Sequence, residues 1–294
     1  RAGEFDEKML QANINNFKLY ELQSMESNEG RADIFVNSFI NGTNWEDEVT
    51  AIDRMAKLTK EDIVAFADKY LKEDNYAVVY KKQGKDPNEK KMTKPEITPI
   101  VSNRDVASPF LTSIQENAVK PIEPVFLDFK KDMSQLTAKS DIPVLYKQNT
   151  TNDLFQLIYV FDMGNNNDKA LGTAFDYLEY LGTSDMTPEE LKSEFYRLAC
   201  TFYVSPGNER TYVVLSGLNE NMPAAMQLFE KLLADAQVNK EAYNNLVGDI
   251  LKARADAKLN QGQNFSRLMN YAMYGPKSPA TNLLTEAELA SMNP

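Results

Sequence analysis

The stretch "DLFQLIYVFDMG" at 153–164 constrains the fold more than any other. From Leu154 to Phe161 every residue except Gln156 is aliphatic or aromatic, with no apolar and polar alternation. Such a run predicts a central strand covered by a layer on each side. "IPVLYKQN" before it reads as another strand. After it comes a helix ending in "AFDYLEYLGT" at a glycine, then "MTPEELKSEFYRLACTF". The second helix opens with Thr187 as cap, Pro188 at the first helical position and Glu190 closing a capping box, and Met186 faces Leu191 as a hydrophobic staple. "TFYVSPGNERTYVVLSGLN" predicts a hairpin turning at Pro206-Gly207-Asn208, and "MPAAMQLFEKLLADA" and "NKEAYNNLVGDILKARADAKL" predict two more helices. The order β-β-α-α-β-β-α-α over 141–294 makes the fold class α+β, with helices packed on a mixed or antiparallel sheet.

Two further regions precede this unit. Residues 1–84 read as helices, broken at "SNEGR", followed by a strand in "YAVVYKK". Within them "LTKEDIVAFADKYL" carries a second capping box, Thr59 with Asp62, and a staple of Leu58 and Ile63. Residues 85–140 change texture. Pro87, Pro95, Pro99, Pro109, Pro121 and Pro124 punctuate short apolar pieces such as "PVFLDF", as in an extended connector. Its apolar residues predict that it lies along neighbouring surfaces.

Composition narrows the function. With 43% hydrophobic and 26% charged residues over 294, the chain has the make-up of a folded domain pair. No apolar run reaches the roughly 20 residues of a membrane-spanning helix. A net charge of −11, with Lys residues clustered only in pairs, argues against a nucleic-acid partner. The single cysteine, Cys200, has no intrachain partner, and its apolar neighbours predict a buried thiol. The histidine count is zero. Its absence removes Ser-His, Cys-His and His-zinc chemistry together, leaving carboxylates, Lys and Tyr.

Against that background "AFDYLEYLGT" stands out, because Asp176, Glu179 and Tyr180 fall at i, i+3 and i+4 and share one face of a helix. "MGNNND" at 163–168 reads as a strand-to-helix turn capped by Asn and Asp side chains and not as a phosphate cradle. Trp45 reads as a packing anchor. The sequons "NGT" and "NFS" are short enough to arise by chance.

The order of elements, together with "DYLEYLGT", resembles a subdomain of the M16 metallopeptidases, the pitrilysin and mitochondrial-processing-peptidase group. That family bears an inverted zinc motif H-x-x-E-H followed by G-T. Here Asp176 and Tyr180 stand at the two histidine positions, Glu179 at the general-base position, and Gly182-Thr183 follow. The third ligand of the family is a glutamate on a later helix, upstream of a "YG" turn. Counting back from Tyr274-Gly275 points to Asp249, whereas counting forward from the first motif points nearer Asp256. The resemblance implies the LuxS/MPP-like metallohydrolase type of αβ sandwich. It also implies that 1–84 ends one half of such a peptidase, 85–140 links the halves, and 141–294 is the first subdomain of the second half.

In two-half members zinc sits in the first half while the second keeps the fold with a decayed motif. The resemblance therefore implies no catalytic residue, cofactor or metal in this chain, zinc in a half outside it, and a role in walling a peptide-binding chamber. Partners would be the remaining subdomains, in the same polypeptide or a partner subunit, and a peptide substrate, which could add as a strand to a sheet edge. Long bacterial members imply a periplasmic or envelope location. Starting at Arg1 without Met, the chain reads as a piece of something longer, whose missing sister subdomains would leave apolar surface exposed or buried in a dimer. Two rivals stand beside this reading: a scaffold subunit without proteolysis, and a carboxylate hydrolase built on Asp176 and Glu179. A Ca²⁺ or Mg²⁺ site at Glu179 and Asp249 is a further alternative to a structural Glu179 paired with Lys, Arg or Tyr.

Overall fold

The computed structural model describes residues 2–84, 90–100, 102 and 104–294, so Pro87 of the connector lies outside the described residues. The chain divides into two compact units, Arg1–Leu71 with Asn149–Pro294, and Lys72–Gln148. Residues 1–71 do not stand alone, because their first helix packs on a helix of the C-terminal stretch.

In the first unit, α1 (Glu7–Ser24) starts at Asp6, whose carboxylate accepts from the Lys8 backbone at 3.0 Å. The break foreseen at "SNEGR" is a new helix start: Ser27 accepts from Gly30 N at 2.9 Å and opens α2 (Asn28–Asn41). Two short helices, α3 (Trp45–Val49) and α4 (Ala51–Met55), follow, and Trp45 stacks on Phe35 with ring centroids 4.6 Å apart. In α5 (Lys60–Tyr70) the expected capping box forms, with Asp62 accepting from Thr59 N at 2.9 Å.

The same unit holds an antiparallel sheet. Strands β1 (Ser134–Thr137) and β2 (Pro143–Tyr146) belong to the other unit. The sheet here comprises β3 (Leu154–Phe161), β4 (Cys200–Pro206) and β5 (Thr211–Leu218), ordered β3-β5-β4. The central strand is therefore β5 and not β3. β5 buries Val213, Val214, Leu215 and Leu218, whereas Ile158, Val160 and Phe161 of β3 are about half exposed. An apolar run cannot distinguish the middle of a small sheet from an edge, because that depends on which strands come to lie beside it.

On the sheet lie α7 (Leu171–Leu178), α8 (Pro188–Arg197) and α9 (Met222–Asp235), and α10 (Lys240–Ala257) packs against α7. The capping box of α8 forms as the sequence predicts: Glu190 accepts from Thr187 N at 2.8 Å, and Thr187 Oγ1 accepts from Glu190 N at 3.2 Å. Leu191, Phe195, Leu215, Phe229 and Leu232 share one core. Burial of each large side chain there contributes about 1.5–3 kcal/mol. Beyond α10, α11 (Gln261–Tyr274) is followed by α12 (Glu286–Ser291). α12 is tied back by the Tyr243 hydroxyl, which donates to Leu289 O at 2.8 Å, and by a Lys169–Glu288 ion pair.

α1 lies along α8. Asn16 donates to Tyr196 O at 2.7 Å, and the Tyr196 hydroxyl donates to Asn13 at 2.6 Å. Leu19 joins Leu154, Ala199 and Leu218 in a second apolar cluster.

The second unit contains α6 (Pro109–Gln115), capped by Ser108, and the antiparallel hairpin of β1 and β2, which turns through Ser140 and Asp141 at positive φ. Two expectations fail here. "YAVVYKK" forms no strand, and Val79 is 93% exposed. The apolar residues of the connector are not laid down as anchors either, since Ile100, Ile122 and Val125 are each more than 90% exposed.

Candidate functional site

The segment leading into α7 is the turn 163–168, built as its Asn and Asp content predicts. Gly164 N donates to Asn167 Oδ1 at 3.0 Å, Ala170 N to Asp168 Oδ1 at 2.9 Å and Gly172 N to Asn165 Oδ1 at 3.3 Å. Asn165 N and Asn166 N donate to the carbonyls of Gly207 and Asn208, which docks the turn on the β4–β5 hairpin. A side chain at Gly164 would meet Gly207 O at 2.5 Å, so only glycine allows that approach.

α7 stops at Leu178 and not at Gly182. Tyr180 N donates to Tyr177 O and Leu181 N to Leu178 O, tightening the exit into i to i+3 bonds. The glycine serves the next loop. A Cβ at Gly182 would lie 2.2 Å from Met186 O, while Gly182 O accepts from Gln237 N and Thr183 N donates to Met186 O. The loop is further held by Ser184 N on Asp235 at 2.9 Å and by Lys231 on Asp185 at 2.5 Å, contacts that hold both carboxyls below the usual range.

The three motif positions are therefore split. Asp176 sits on the helix, Glu179 at its C-terminal cap and Tyr180 in the turn, and all three are exposed. Partial desolvation pushes the Asp176 carboxyl upward. The expected Lys, Arg or Tyr partner of Glu179 is absent: its side chain makes no ion pair or hydrogen bond among the described residues. The Tyr180 ring lies under Lys192, whose Nζ is 5.7 Å from the ring centre.

Asp249 and Asp256 are exposed on α10. What joins α10 to α7 is a pair of tyrosines. Tyr177 meets Tyr243 edge to face at 5.5 Å, and its hydroxyl donates to Asn239 O at 2.7 Å while accepting from Asn239 N at 2.8 Å. Among the described residues no three His, Cys, Asp or Glu side chains gather closely enough to hold a metal ion. Zinc does not fit Asp176, Glu179 and Tyr180. Two imidazoles on adjacent turns are what the motif needs, and a carboxylate and a phenol at those positions do not supply them.

Beside the end of α7 the structure opens a cavity of about 390 Å³ between α1, α8 and β4. Leu19, Leu191, Phe195 and Leu232 form apolar wall, and Asn16, Glu179 and Lys192 are on the lining. Cys200 also lines it, with its thiol buried and pushed up to about 11 by desolvation, so it is an unreactive sulfur at neutral pH. Sequence reasoning passed over Asn16 and Lys192. The available signal was Asn16 itself, a polar residue at i+4 from Ala12 on the stripe that α1 buries with Leu19.

No family model matches the chain, and no curated protein does. Solved structures similar to it include a peptidase M16 inactive domain from Pseudomonas fluorescens, at 16% identity and a TM-score of 0.48 over 55% of this chain and 41% of that one. The periplasmic protease PqqL from Escherichia coli is similar at 14% identity and 0.46, over 96% of this chain and 35% of that one. A mutant of the ferredoxin protease FusC, in complex with Arabidopsis ferredoxin, is similar at 10% and 0.47, over 98% and 35%. This chain thus spans well under half the length of each.

Proposed function

We propose that the chain is a non-catalytic portion of an M16-type zinc metalloendopeptidase of the bacterial periplasm or envelope, walling a peptide-binding chamber opposite a zinc-bearing half. One observation carries the reading: the general-base position of the degenerate motif keeps its glutamate, Glu179, while Asp176 and Tyr180 replace both imidazoles and Asp249 is not gathered to them. The two outer strands, β3 and β4, each pair on one side only among the described residues, which supports a peptide added as a strand. Phe39 and Ile40 on α2, 88% and 71% exposed, suit a surface covered by the remaining subdomains or, in the isolated chain, by a second copy.

The test combines this chain with a zinc-bearing half and assays peptide cleavage. The chain alone should show no zinc-dependent hydrolysis, the combination should, and Glu179→Gln in this chain should leave the combined rate within about twofold. Zinc-dependent cleavage by the chain alone, or its loss in the Glu179 variant, refutes the proposal.

A further inference from the structure

The cavity beside α7 carries two opposite charges, Lys192 over the Tyr180 ring and Glu179 without a partner side chain. Glu179 and Lys192 are both exposed on its lining, and neither forms an ion pair among the described residues. Deeper in, Asn16 is 7% exposed and donates both amide hydrogens to backbone carbonyls, those of Ala12 at 2.8 Å and Tyr196 at 2.7 Å. Its Oδ1 accepts no hydrogen bond among the described residues and is open to a donor entering the cavity. Leu191, Phe195 and Leu232 supply the apolar wall.

We infer that this cavity binds a short zwitterionic peptide with an apolar side chain. The side chain would enter the apolar part, the free ammonium would face Glu179, the free carboxylate would face Lys192, and a peptide N–H would meet Asn16 Oδ1. The charge pair discriminates among ligands of this size. A fatty acid would satisfy Lys192 and be repelled by Glu179, a simple amine would do the reverse, and an internal segment of a long chain would offer neither charge. At about 390 Å³ the space lies at the small end of ligand pockets, which suits a dipeptide. The exposed charges are screened by solvent and salt, so they set selectivity more than strength. This binding needs only the isolated chain and stands apart from the chamber-wall proposal, which is tested through cleavage.

Calorimetric titration at low salt with leucyl-leucine, N-acetyl-leucyl-leucine, leucyl-leucinamide and the doubly capped form tests it. Leucyl-leucine should bind saturably, and capping either end should weaken binding about tenfold. Glu179→Gln should weaken leucyl-leucine by a similar factor while leaving the N-acetyl form unchanged. Lys192→Gln should do the same for leucyl-leucine and leave the amide unchanged. Absence of saturable leucyl-leucine binding, equal binding of free and doubly capped dipeptide, or binding indifferent to both variants would overturn the inference. Both positions are exposed, and matching circular dichroism spectra establish that the variants are folded.

Discussion

The two faces of α7 have been treated differently. Toward solvent stand Asp176 and, at the helix end, Glu179, neither with an ion-pair partner. Toward the core stands Tyr177, buried, edge-on to Tyr243, with its hydroxyl both donating to and accepting from the backbone of Asn239. The helix is held by the residue between the motif positions and not by those positions. A face that serves packing is fixed by hydrogen bonds that would be costly to leave unmade, while a solvent-facing carboxylate is hydrated and needs no protein partner.

That contrast gives a ranked set of expectations. Tyr177→Ala should destabilise the fold by about 3–5 kcal/mol, since it removes a buried ring and leaves the Asn239 N–H without its partner. Chemical denaturation measures it, and a loss under about 1 kcal/mol would mean that α7 is held elsewhere. Asn16→Ala should cost about 1–3 kcal/mol by stripping a donor from the Tyr196 carbonyl and loosening α1 from α8. Thr187→Ala, which opens the capping box of α8, should cost about 1 kcal/mol.

Acid should act on a different contact. Lys169 and the Thr285 backbone and hydroxyl hold the Glu288 carboxyl down to about 2, against an ordinary 4.5. A depressed carboxyl stabilises the fold above the ordinary value, so this contribution is full above about pH 4.5 and is lost as pH falls toward 2. Lys169→Met should flatten that part of the stability profile, and an unchanged slope in denaturation curves between pH 5 and 2 would remove the ion pair from the account. The smallest effect belongs to the solvent face of α7. Glu179→Gln should move stability by no more than about 0.5 kcal/mol, and a larger loss would show that this carboxylate has a structural partner after all.

Much of the local structure was legible because it is written in short-range chemistry. Thr59 with Asp62 and Thr187 with Glu190 specify helix starts wherever the chain goes, and the Asn and Asp side chains of 163–168 close their own turn. Longer-range features were not. "YAVVYKK" has the composition of a strand, but a strand exists only with a neighbour to bond, and among the described residues none pairs with it. Gly182 looked like the end of α7 because glycine commonly follows a helix, yet it is required by the close approach of Met186 O, which no local pattern encodes. Glu179 was expected to find a partner because acids on a folded surface often do. Whether a Lys or Arg lies within reach is a question of packing.

The sequence by itself determined the helix starts at Thr59 and Thr187, that a sheet must be covered by helices, and that imidazole chemistry is absent. These follow from side-chain composition and from contacts spanning a few residues. Tertiary structure alone decided that β5 and not β3 is central, that α1 lies on α8, and that Asn16, Glu179 and Lys192 line one cavity. Residues 16 and 192 are far apart in the chain, and only the burial of apolar surface between α1 and α8 brings them together.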